Sequence, residues 1–295
     1  IASGVEVQNS GKTFTIGKVS GAGSLGGSCT FSNGASVGAN TWRVGNDDNF
    51  TWEGKVTSNA LFQKIGEGKM TVKGAWSTSG SVAVNEGELA FTSAASLGTG
   101  ALTVAKGAVL SGITSVSGSL KNSAYTINGT LQVGSSKVST SGVINLNDKN
   151  VTFGKESTYI VGASRCATAS NNGCTSLQGV NRLVMNGTIS VFLADNHNLQ
   201  AGDSIRIFVA ESFGGSPTFD LPEIGNGLDW DTSRISEGLL FVKVSTGIDA
   251  LLTDKNGKGV DIYNASGQLV RRHARSLEGL PRGVYFVRGR KIVVK

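Results

Sequence analysis

Gly68-Lys-Met-Thr-Val72, Gly80-Ser-Val-Ala-Val84, Gly87-Glu-Leu-Ala-Phe91, Gly100-Ala-Leu-Thr-Val104, Gly118-Ser-Leu120 and Gly129-Thr-Leu-Gln-Val133 are copies of one short unit within residues 63–133. Each is a turn glycine followed by a few residues in which apolar and polar side chains alternate. That alternation reads as a strand with one buried face, and the glycines suit turns that require positive φ. Successive repeat glycines lie alternately about seven and about eleven to thirteen residues apart, so two or three strands make a coil of roughly twenty residues. Such a coil buries its apolar side only against the coils before and after it, which predicts a parallel β-solenoid. The competing reading is an antiparallel sandwich or barrel built from hairpins.

Weaker copies precede this run, at Thr13-Phe-Thr-Ile16, Gly23-Ser-Leu25, Cys29-Thr-Phe31, Ala35-Ser-Val37, Thr41-Trp-Arg-Val44 and Phe50-Thr-Trp-Glu-Gly54. Later ones follow, at Ile144-Asn-Leu-Asn147, Asn150-Val-Thr-Phe-Gly154, Arg182–Leu193 and Asp203–Ala210. The segment 64–104, with Gly107-Ala-Val-Leu-Ser-Gly112, resembles the autotransporter-associated β-strand repeat. Leu228-Asp-Trp-Asp-Thr-Ser233 with Gly238-Leu-Leu-Phe-Val242 is similar to the closing segment of such passenger domains. The resemblance implies a right-handed parallel β-helix that is secreted or displayed on a bacterial surface.

Forty-two glycines and only three prolines among 295 residues, with 39% hydrophobic residues, favour an ordered all-β chain over disorder. No apolar run approaches the roughly eighteen residues of a membrane-spanning helix, so no transmembrane segment is expected. The chain opens at Ile1 already in strand-like alternation, with neither an initiator methionine nor a basic-then-apolar leader. That reads as a mature or truncated chain, with first coils and any catalytic domain upstream.

The net charge of +6 resides in residues 247–295, where ten Lys and Arg face four Asp and Glu; the other 246 residues carry 17 of each sign. These cations are strung between strands and around a turn, which argues against nucleic acid as a partner. Cys166 and Cys174 bracket an Asn-Asn-Gly turn and form a candidate disulfide, the alternative being two unpaired residues in a surface loop. A disulfide implies a compartment outside the cytoplasm. Cys29 reads as a buried thiol.

Asp47 and Asp48, between asparagines, are a weak candidate Ca²⁺ site, set against an ordinary β-turn that uses the same residues. A solenoid's last coil needs a cover, and residues 212–245, with Phe213, Phe219, Trp230 and Phe241, have the bulk for that cap. The competing use of exposed aromatics is sugar stacking, for which Trp42, Trp52 and Trp76 are the candidates in a glycan-binding solenoid.

From Thr246 the texture changes to longer strands with charged turns, giving a solenoid over 1–245 and a second domain over 246–295. Val260–Arg272 is a strand pair around Asn-Ala-Ser-Gly; Leu280-Pro-Arg-Gly-Val-Tyr-Phe-Val287 and Lys291-Ile-Val-Val-Lys295 follow. This tail resembles the C-terminal sorting domain of the type IX (Por) secretion family of Bacteroidetes, through Tyr263, Gly267, Leu269, Leu280, Pro281, Gly283, Tyr285, Lys291 and Lys295. The resemblance implies a small Ig-like β-sandwich read by outer-membrane secretion machinery of a Gram-negative bacterium. The alternative is an ordinary terminal β-domain that caps the solenoid.

The two histidines, His197 and His273, are isolated, and no His-Glu-x-x-His, Gly-x-Ser-x-Gly, phosphate-loop or CxxC pattern occurs. Asp229 and Asp231 flank Trp230 and would share one strand face, the tightest carboxylate pair besides Asp47 and Asp48. No catalytic residue is assigned. Three functions follow in order: a non-catalytic surface or secreted β-helix stalk or adhesin-like passenger with a sorting domain; the C-terminal part of a carbohydrate-active, pectate-lyase-like enzyme; a glycan-binding solenoid. A polysaccharide or host-surface ligand fits the second and third.

Overall fold

A computed structural model of the chain describes residues 1–28, 30, 32–92, 96–112, 118–134, 142–165, 175–245, 252, 259–277 and 279–294. Strands dominate, and the chain forms two compact units. The first comprises Ile1–Asn198, Ile205–Pro222 and Ser233–Leu239; the second comprises Leu199–Ser204, Glu223–Thr232 and Leu240–Lys295. The cap expected over about 212–245 is therefore shared between the two.

In the first unit the chain visits three sides in turn and comes back one strand over. One side is a ten-stranded sheet, the second has eight strands, and the third consists of a three-stranded and a two-stranded sheet. On the first side Trp42 pairs with Phe62, Phe62 with Val82 and Val82 with Leu102, twenty residues apart each time. On the second side Met70 pairs with Leu89 and Leu89 with Leu110. The third side continues the pattern, Trp76 pairing with Leu97. Every pairing in the two long sheets and across the third side is parallel, for example Glu88–Phe91 against Lys69–Val72 and against Val109–Gly112. Among the described residues the one antiparallel contact between consecutive segments of this unit is the single bridge from Thr30 to Ser36, and its parallel sheets of many strands are compatible with a β-helix.

The repeat produces this arrangement because alternate residues turn inward and stack. Lys69–Val72 alternates between half-buried and buried positions, as does Leu61–Lys64. Phe62, Val82, Leu102, Tyr125, Val151 and Leu183 form one buried column, and Met70, Leu89, Leu110, Leu131, Tyr159 and Ile189 another. Burying a side chain of this size stabilises by about 1.5–3 kcal/mol, and the adjacent coils supply the cover above and below it.

Corners are where coils come closest. A Cβ on Gly74 would overlap the carbonyl oxygen of Gly54, and one on Gly100 would overlap that of Gly80. At these positions the side chain is excluded by backbone of the preceding coil, so the repeat glycine is a clearance requirement as well as a turn residue.

Two expected boundaries move. Ile144–Asn147 and Asn150–Gly154, read as separate strands, belong to one strand, Gly142–Phe153. Its first half pairs with Gly118–Ser119 and its second with Tyr125–Ile127, so third-side and first-side segments run together with a register shift between them. Asn147 and Asp148 adopt φ of 52° and 57° there, and Asn147 Nδ2 donates to Leu120 O at 2.7 Å. Conversely, Arg182–Leu193, read as one segment, divides into Thr175–Met185 and Thr188–Leu193. The coil grows accordingly: Leu183 pairs with Phe213 and Ile189 with Phe219, thirty residues on in both cases.

The second unit is antiparallel. Leu228–Asp231 pairs with Leu239–Val244. A four-stranded sheet then runs in the order Leu269–Ala274, Val260–Asn264, Gly283–Val287, Arg290–Val294. Its inner face buries Ile262, Ala274, Tyr285, Val287 and Ile292 with Leu252, and Val260, Leu277, Leu280 and Val294 pack against them. Among the described residues the tail beyond residue 246 contributes this one sheet.

Gly74→Ala and Gly100→Ala should each lower unfolding stability by roughly 2 kcal/mol, since backbone must shift to admit the methyl group. Gly214→Ala, at a position with open space around it, should stay within about 0.5 kcal/mol of wild type in the same urea titration.

Candidate functional site

The three tryptophans proposed as sugar platforms are in the core. Trp42 lies in the column above Phe62, and its Nε1 donates to Gly26 O at 2.8 Å. The ring of Trp76 lies 5.8 Å from that of Trp52 and 4.5 Å from that of Phe62. None offers a ring face to a ligand, and the stacking assignment is corrected. In a strand of three or four residues, alternation leaves two possible faces; coil-to-coil register selects the inner one.

The Asn46–Asn49 corner is a turn that ties coils together. Asn46 Oδ1 accepts from the Asp48 N–H, Asp47 Oδ1 accepts from the Glu67 N–H of the next coil, and Asn49 Oδ1 from the Lys69 N–H. The Lys18 ammonium, 2.7 Å away, holds the Asp48 carboxyl below the usual carboxylate range. These carboxylates answer to separate partners, so the calcium candidate is replaced by a structural turn. Among the described residues no three acidic, histidine or cysteine side chains converge as a metal site.

Beneath the same corner lies a residue the sequence reading passed over. Lys64 occupies the inward column between Val44 and Val84 and is fully buried. Its ammonium donates to the carbonyl oxygens of Ile65, Gly66 and Glu86 at 2.9, 2.6 and 3.2 Å, which uses all three donors. Burial pushes its pKa below the ordinary lysine value, and the Glu86 charge partly opposes this. The Leu61-Phe-Gln-Lys64 alternation already pointed Lys64 inward; its charge disguised that. Asn122 is a second buried corner residue, donating to Leu97 O and Gly100 O at 2.9 Å each.

The remaining acid and histidine candidates are scattered. Asp229 Oδ1 accepts from the Trp230 N–H at 2.8 Å, and His273, at φ 48°, donates its N–H to Asp261 Oδ1. Phe213 stacks on Phe208 at 5.4 Å, Phe213, Phe219 and Phe241 are half-buried, and Trp230 is buried. Cys29, Cys166 and Cys174 lie outside the described residues.

The tail motif does converge on one sheet. Gly267, at φ 77°, closes the Asn264–Gly267 turn, and Asn264 Oδ1 accepts from the Ser266 and Gln268 N–H groups. Tyr285 is buried and donates its hydroxyl to Pro281 O at 2.8 Å, while Leu280 packs on the same core. Gly283 opens a strand, whereas Tyr263, Leu269 and Lys291 face solvent. Lys295 lies outside the described residues. No family model matches the chain, and no curated protein matches its sequence. Geometry therefore carries the functional reading.

Two measurements test these assignments. Because the folded state holds the Lys64 proton more weakly than the unfolded chain, stability rises with pH from the folded pKa to the ordinary lysine value. Wild type should gain stability relative to Lys64→Met across that alkaline window, read from urea midpoints. Tyr285→Phe should cost about 1 kcal/mol by removing the bond to Pro281.

Proposed function

We propose that the chain is a secreted or surface-displayed passenger of a Gram-negative bacterium. Its first unit is a right-handed parallel β-helix acting as a stalk or adhesin-like spacer, and its last fifty or so residues are a sorting module of the type IX kind. The observation that carries this reading is the filled, in-register interior of the first unit. Each coil is held by its neighbours alone, so such a fold lengthens by adding coils and presents its loops and outer faces along its length.

The small antiparallel sheet at the C-terminal end, with its own core, supports a separate role for the tail. Tyr285, Pro281, Leu280 and Gly267 act there as framework: a tyrosine-to-carbonyl tie, a packed leucine and a left-handed turn residue. In this proposal the remaining fold of the tail is an Ig-like sandwich, read by outer-membrane secretion machinery. The glycan-stacking alternative has lost its tryptophans to the core.

Expression in a Bacteroidetes host with an active type IX system tests it. With a cleavable leader peptide fused to Ile1, the intact chain should reach the surface or medium, and a chain truncated after Ser245 should stay in the periplasm. Equal export of the two would remove the tail from the process.

A further inference from the structure

The outer face of the C-terminal sheet is apolar where a solvated sheet alternates to polar residues. Leu269, Tyr263 and Phe286 stand side by side across three strands, with Tyr263 paired to both of the others, and Lys291 completes the row opposite Phe286. Val284 and Val293 pair in the adjacent row. Leu269, Tyr263, Phe286 and Val293 are 39%, 38%, 37% and 53% exposed. The inner face meanwhile has its own core, and this second apolar row lies outside it.

Charge narrows what the face can meet. Between Gly259 and Val294 the sequence carries seven Arg and Lys against two acids, Glu278 and Asp261, and Asp261 lies two residues from Tyr263 on the same strand face. Arg272, Arg282, Arg290 and Lys291 are exposed on the strands and turns that bear the apolar rows. A second copy of this face would bring like charges together. Nucleic acid would find two aromatic rings but also aliphatic side chains where base-reading groups are needed. Apolar side chains set among several cations match the layered chemistry of an anionic bilayer surface, with acyl chains beneath acidic headgroups.

We propose that this face, built on Tyr263, Leu269, Phe286 and Val293 with Lys291 in the same row and the exposed Arg272 on the Leu269 strand, is a docking surface for anionic lipid membranes. Binding is peripheral: the aromatic and aliphatic tips reach the headgroup boundary and the cations pair with lipid phosphates. The inference stands apart from the export reading, since a chain that is never exported by a type IX system can still bind vesicles.

The test is co-sedimentation of the full 295-residue chain with large unilamellar vesicles. Vesicles of phosphatidylcholine alone are compared with vesicles containing about a third phosphatidylglycerol. Wild type should bind the anionic vesicles, weaken with added salt, and leave the neutral ones unbound. At roughly fivefold in affinity per cation, the pair Arg272→Glu and Lys291→Glu should reduce binding more than tenfold. The pair Tyr263→Ser and Phe286→Ser should also lose roughly tenfold, with circular dichroism showing the variant still folded at the assay temperature. Absence of binding to the anionic vesicles overturns the proposal. So does full retention by the serine pair, which would mean charge adhesion without an apolar footprint. Self-association, or binding of single-stranded oligonucleotide, that disappears in the serine pair while vesicle binding persists would assign the face to another occupant.

Discussion

A coil of about twenty residues is one layer thick, so its inward side chains meet one another across the turn, as Phe62 and Trp76 do, but stay open above and below. In-register stacking between coils is therefore the constraint on which the first unit depends. Column after column is satisfied this way: Phe62 over Val82 over Leu102 on one side, Met70 over Leu89 over Leu110 on another. The same constraint dictates the corners. Where coils approach closely, the backbone oxygen of one occupies the space a Cβ of the next would need, and Gly74 and Gly100 meet that condition.

Polar groups in this interior follow from the stacking as well. A corner leaves carbonyl oxygens that no strand ladder reaches, and an unpaired buried carbonyl is costly. Lys64 and Asn122 answer it from inside, each donating to carbonyls of its own or an adjacent coil. From outside, Asp47 and Asn49 accept backbone N–H groups of the next coil. Residues that look like candidate chemistry in a linear reading are here the fastenings between layers.

The second unit obeys different rules. Its four-stranded sheet is antiparallel, its inner core is a handful of side chains, and so small a core supplies only a few kcal/mol of net stability. Local ties then matter more, among them the Tyr285 hydroxyl on Pro281 and the Asn264 turn. The apolar row on the outer face of the same sheet lies outside that core, which is the ground for the docking proposal.

The all-β class, the coil length of about twenty residues and most strand positions between residues 64 and 133 were legible in the chain itself, because glycine spacing and period-two alternation are local properties. Ala75–Trp76 and Tyr125–Ile127, which lie outside the glycine-led copies, were not. The turn at Gly267 was legible for the same reason as the repeats. What needed the tertiary structure was which face each short strand turns inward. That choice is made by pairing across twenty to thirty residues, and it sent Trp42, Trp52, Trp76 and Lys64 into the interior. It also joined Ile144 to Phe153 in one strand and gathered Leu269, Tyr263 and Phe286 into one row, since only the partner strand determines where a side chain's neighbours lie.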